Sequence, residues 1–135
     1  MKIIKLFLFL FLLQNSVQGQ NDALDSLQNL LLRTKSDTAR IGIYIGKTFA
    51  AEDTASVLFS DTAVSLINKL LPKARGKMAI NLYRYKSDAF YFRSMSFSYD
   101  EAYDTALYYL KWAMDNALLA EDKLQEARIL NDMGV

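Results

Sequence analysis

The sequence predicts an all-α chain of helical hairpins repeating every 43 residues, with two full units and the start of a third. Three observations carry that expectation. Of the 135 residues only five are glycine and one, Pro72, is proline, too few for the tight turns of an all-β fold. The triplet Asp-Thr-Ala begins at Asp37, Asp53, Asp61 and Asp104, and two of these head similar apolar stretches 43 residues apart, "DTAVSLINKL" and "DTALYYLKWA". The same shift lays Gly46 on Ala89, Phe49 on Phe92, Ile67 on Leu110 and Leu70 on Ala113, matching small with small and apolar with apolar.

The chain opens with "MKIIKLFLFLFLLQNSVQGQND". Lys2 and Lys5 precede the unbroken apolar run Leu6 to Leu13, and Val17 and Gly19 stand at the small positions before a cleavage expected near Gly19/Gln20. Eight to eleven apolar residues at ~1.5 Å each reach roughly 12 to 17 Å, short of the ~30 Å hydrocarbon core, so residues 1–19 are expected to be a secretion signal rather than a membrane span. The mature product is expected to be exported, periplasmic or extracytoplasmic.

Residues 20–36 are the leading helix, with Leu24, Leu27 and Leu31 on one face. The first unit, 37–79, opens with Ser36 or Asp37 as N-cap and an apolar stripe at Ile41, Ile45 and Phe49. Its second helix is expected from Ser60 or Asp61 through Ala63, Leu66, Ile67, Leu70 and Leu71, with Pro72 and Gly76 breaking it. The second unit, 80–123, has a long first helix from about Lys77 to Phe97. Its second helix starts at Tyr99, if Ser98 and Glu101 form a capping box, or near Asp104, and runs to about Ala120. Residues 124–135 hold the third unit's first helix through Ala127, Leu130 and Met133. A shift of 45 puts Gly134 on Ala89, inside that helix, and leaves Ile129, Leu130, Met133 and Val135 as an uncovered apolar end.

This pattern of small and aromatic residues resembles the tetratricopeptide repeat, a helix-turn-helix unit that stacks into a solenoid. "IGKTF" (Ile45, Gly46, Phe49) is similar to the family's first-helix signature; "DAFYF" is similar at Ala89 and Phe92 but has Asp88 at the apolar position. In the second helix Ala106, Leu110 and Ala113 match fully, and Ala63 and Ile67 match beside the larger Leu70. The 43-residue period exceeds the family's usual ~34. It is similar to the divergent long repeats at the N-termini of exported bacterial signalling proteins such as sensor histidine kinases. The resemblance implies a non-catalytic protein or peptide interaction module within such a protein, the rest lying beyond Val135. A freestanding periplasmic adaptor is the alternative. It also implies a groove lined by first helices, carrying Arg40, Ile43 and Lys47 from one unit and Tyr83, Lys86, Phe90 and Arg93 from the next, suited to an acidic or carboxylate-ended peptide.

Composition narrows the chemistry. Histidine and cysteine are absent, which removes the common nucleophile and base pairs and most transition-metal sites. Asp100 with Glu101 and Glu121 with Asp122 are sequence neighbours, so on a helix they diverge by about 100° and fit solvated caps. No glycine-rich phosphate loop is present, and the expectation is no enzyme and no cofactor. Without Lys2 and Lys5 the chain has fourteen basic against fifteen acidic side chains, a balance that argues against nucleic acid as a partner. Any membrane contact would come through sequence beyond this chain. Eleven of the seventeen aromatics fall between Tyr83 and Trp112, which fits either packing between helices or a peptide groove.

Overall fold

The computed structural model describes residues 19, 21–99 and 101–135, and every regular element among them is helical. The leader 1–18 lies outside the described residues. Helix α1 covers 21–33. It is followed by α2 (Asp37–Ala50), α3 (Asp53–Leu70), a 3₁₀ turn (Leu71–Lys73), α4 (Lys77–Tyr99), α5 (Tyr103–Leu119) and α6 (Lys123–Asp132).

Local chemistry explains most of the boundaries. Ser36 caps α2 by accepting from the Ala39 amide, and Asp122 caps α6 by accepting from the Gln125 amide. Pro72 falls in the 3₁₀ turn that follows α3, and Gly76 takes the left-handed conformation (φ 55°) that opens the way to α4. Helices α4, α5 and α6 all end in one motif. The amides of Glu101, Glu121 and Gly134 bond three residues back, and the amides that follow them bond five residues back. The three residues sit at φ 60°, 54° and 77°, which is the Schellman stop.

Two expected boundaries move and one open choice is decided. Helix α3 starts at Asp53, two turns before Ser60, because Ser60 is no cap: its hydroxyl is buried and bonds back to the Val57 carbonyl at 2.8 Å. Helix α5 starts at Tyr103, the later of the two expected starts, since Ser98 spends its hydroxyl on the Ser94 carbonyl at 3.1 Å instead of forming a capping box. Gly134 is not inside a helix: α6 stops at Asp132, and a glycine at positive φ terminates it.

Neighbouring helices run antiparallel, as contacts between them fix. Ser56 reaches the Thr48 carbonyl (2.9 Å) across α2 and α3, Lys86 reaches Asn68 (2.8 Å) across α3 and α4, and Ser87 reaches the Ala113 carbonyl (2.8 Å) across α4 and α5. Alternate helices run parallel. Phe49 meets Phe92 at 5.1 Å between ring centroids, and a Cβ on Gly42 would lie 3.7 Å from the Tyr85 hydroxyl, two contacts that each join residues 43 apart. Helix α6 lies along α4 in the same sense through Arg84 with Asp122 and Tyr91 with Asp132.

The core has two parts. Ile41, Ile45, Ala63, Ile67, Leu82 and Ala89 pack together between α2, α3 and α4. Phe90, Leu110, Ala113, Ala117 and Ile129 pack between α4, α5 and α6. Val64 touches both, and each full burial of an Ile or Leu is worth about 1.5–3 kcal/mol. The expected apolar end is thus partly covered: Ile129 is fully buried and Met133 half-buried, while Leu130 and Val135 are exposed. Gly46 admits α1, since a Cβ there would stand 3.4 Å from Leu27.

Candidate binding surface

The seven residues expected to line a groove do not form one surface. Ile43, Lys47, Phe90 and Arg93 are buried, and Arg40, Tyr83 and Lys86 are half-buried. Lys47 donates to Gln28 of α1 at 2.5 Å and lies over the Phe59 ring of α3 at 4.4 Å, and burial lowers its ammonium below the usual lysine range. Phe90, 43 residues on, makes an edge contact with Trp112 of α5 at 5.1 Å. Both stand one residue after the small residue of their helix, a step of about 100° that turns them toward the next helix in the stack instead of toward solvent. Lys86 is tied to Asn68, and burial lowers it too. The Arg40 Nε is buried without a hydrogen-bond partner among the described residues.

Arg93 is the centre of a structural junction. Its guanidinium donates to the Ser60 hydroxyl (2.8 and 2.5 Å), the Val57 carbonyl (3.3 Å) and the Asp61 carboxylate, all on α3. It also lies over the rings of Tyr109 on α5 (4.9 Å) and Phe90 (5.9 Å). The side chain is 7% exposed and joins three helices through Nε, one terminal nitrogen and the face of the guanidinium.

A different face of α4 is accessible, the one between its contacts with α2 and α6. There the Phe49 ring, 65% exposed, meets Phe92, and Phe92 meets Tyr91 at 5.8 Å. The Tyr91 hydroxyl donates to Asp132 at 2.7 Å, so one aromatic row bridges three helices that run the same way. Burial, reinforced by that carboxylate acceptor, pushes the Tyr91 hydroxyl up to about 12, and it stays protonated.

Asp88 lies on the same face, half-buried. Burial and then the neighbouring Asp122 charge push its carboxyl up to about 6, against the opposing pull of Arg128 and Arg84. This residue breaks the apolar pattern of "DAFYF", and that break was the one sequence signal of a polar position on this face. Beside the row, a pocket of about 240 Å³ is lined by Ser94, Met95, Ser98, Tyr99, Leu110 and Asp132. Among the described residues no cluster of His, Cys, Asp or Glu could hold a metal ion, and no helix is long and apolar enough to cross a membrane.

The fold and this surface define an all-helical chain with an exposed aromatic row at the junction of parallel helices. No family model, curated protein or solved structure matches the chain.

Proposed function

We propose that the chain is a non-catalytic module that binds a protein or peptide, built from tetratricopeptide-like hairpins and serving as the extracytoplasmic N-terminal region of a bacterial signal-transduction protein such as a sensor histidine kinase. The observation that carries the repeat reading is the register of α2 on α4: Gly42 with Tyr85 and Phe49 with Phe92 are both 43 residues apart, the period of the sequence. The signal-like leader supports export.

The ligand surface in this reading is the aromatic row. An exposed phenylalanine packed at a tilt against a half-buried one offers apolar area with few rotamers to freeze, which suits an anchor side chain of a peptide. Peptides selected from a random display library against the chain should lose about tenfold or more in affinity with Phe49→Asp, roughly 1.4 kcal/mol. Equal binding by wild type and by both Phe49→Asp and Phe92→Ser would remove the row from the function. The signalling assignment has its own test in the reading frame past Val135: a membrane span with a kinase or regulator module supports it, and further repeats without a span point to the adaptor.

A further inference from the structure

The antiparallel path gathers the helix ends into two opposite layers. One holds the start of α1, the α2–α3 and α4–α5 connections and the end of α6; the other holds the α1–α2, α3–α4 and α5–α6 connections. Charge is divided between them. Asp22, Asp25, Glu52, Glu101, Asp104 and Asp132 all project from the first layer and are exposed. Of the cations nearest that layer, Lys47 and Arg93 are buried, and Arg128, about one turn before the end of α6, is exposed. Arg33, Lys35, Lys69, Lys73, Arg75 and Lys77 all project from the second layer, exposed and without an ion-pair partner among the described residues.

Residues 62–87 contain six cations and no carboxylate, yet the chain as a whole has a formal net charge of only +1, so charge is separated rather than in excess. The carboxylates of the second layer stand at its α5–α6 corner, where Asp122 pairs with Arg84, Glu126 pairs with Lys123 and Glu121 is exposed, and at the start of α2, where Asp37 stands.

Helix electrostatics accounts for part of this division. Lys69 and Lys73 follow the favourable sign at the end of α3, and Asp104 does so at the start of α5. Lys77 at the start of α4, Glu101 just past the end of α4 and Asp132 at the end of α6 carry the unfavourable sign for their positions. Asp22 and Asp25 at the start of α1, Arg33 at its end and Glu52 at the N-cap of α3 also carry the favourable sign, so helix electrostatics leaves Lys77, Glu101 and Asp132 without a local reason.

We infer that the two layers are the complementary halves of a head-to-tail contact between copies of this chain. The α3–α4 connection of one copy, with Lys69, Lys73, Arg75 and Lys77, docks between the α2–α3 and α4–α5 connections of the next, where Glu52 stands on one side and Glu101 and Asp104 on the other. The stagger follows from the path of the chain: each connection in one layer lies between two connections of the other. The contact joins unlike surfaces, so it propagates as an open string of copies instead of closing as a two-fold dimer. Its strength depends on salt, because exposed charges are screened beyond ~10 Å at 0.1 M.

Sedimentation velocity of the full chain in roughly 20 mM and about 500 mM monovalent salt tests this. The expected result is concentration-dependent growth at low salt and a single small species at high salt. Lys69→Glu with Lys73→Glu and Lys77→Glu should abolish growth, and so should Glu52→Lys with Glu101→Lys and Asp104→Lys, each variant keeping the wild-type helical circular dichroism. Mixing the two reversed variants in equal amounts should restore association. A wild type that is monomeric at low salt, association that survives high salt or either reversal, or a mixture that stays monomeric overturns the inference. Retention on vesicles of anionic phospholipid by a chain that does not self-associate does so too, and assigns the basic layer to lipid.

Discussion

Arg93 carries more of the fold than any other charged side chain. Removing it leaves the Ser60 hydroxyl without its donors, takes the longer of two side-chain bonds from the Val57 carbonyl and opens a gap beside Tyr109 and Phe90. Asp61 is 60% exposed on its side chain and recovers water, so the loss falls below that of a fully buried pair. Arg93→Ala should cost about 2–3 kcal/mol in urea unfolding, and Arg93→Lys should regain less than half of it, because an ammonium cannot make the forked contact. Asp88 acts in the opposite direction. Its carboxyl is held up at about 6 in the folded chain against an ordinary value near 4, so the folded state binds its proton more tightly than the unfolded state does. Stability from this group is complete below about pH 4 and is lost as pH rises through about 6. Asp88→Asn should match wild type near pH 4 and exceed it by about 1–2 kcal/mol at pH 7.5, a range already reduced for solvent screening, measured as thermal midpoints across pH.

Among the helices that contribute to the two core clusters, α6 is the most lightly held. It is short, it caps itself through Asp122, and it enters the core mainly through Ile129. Ile129→Ala should cost about 2–4 kcal/mol and should expose the α6 amides to hydrogen exchange before those of α3 and α4. Equal exchange across all helices would show α6 to be integral to one unit. The helical character of each element was legible from apolar spacing, Pro72 and the scarcity of glycine. The start of α3 was hidden because Asp53-Thr54-Ala55 and Asp61-Thr62-Ala63 carry the same start signal, and only packing turns Ser60 inward. The place of Gly134 is hidden for a related reason: glycine serves equally as a small interior residue and as a left-handed stop, and hydrogen bonding decides between them.

At the scale of the whole molecule, α4 contributes to both core clusters, Leu82 and Ala89 to one and Phe90 to the other. Substitution in α4 should therefore be felt throughout: Leu82→Ala should lower a single cooperative transition by about 2–5 kcal/mol, seen alike by circular dichroism and aromatic fluorescence. Two separated transitions would mean that the clusters melt independently. The 43-residue period was visible in the sequence and recurs as contacts between α2 and α4. Which face those helices leave open was not visible. Periodicity says which residues avoid water, but the neighbour that covers them depends on how successive helices are offset, so Lys47, Phe90 and Arg93 went to helix junctions and Phe49 stayed outside. Phe90, Phe97 and Tyr109 pack at the junction of α4 and α5, while Tyr108 and Trp112 beside them stay exposed, as does Phe49 outside the aromatic-rich stretch.

Glu101 and Glu121 hold the left-handed position of two helix stops that the third gives to glycine. A side chain in that conformation costs roughly 1 kcal/mol, and glycine would relieve it. Each glutamate codon lies one base change from a glycine codon, so mutation proposes the relief often. In a library selected only for heat resistance, glycine should take over at both positions. In one selected for activity in the cell, any site that keeps glutamate marks a carboxylate whose use outside the fold outweighs the strain, and the two turns thereby become a genetic gauge of which layer of the molecule meets a partner.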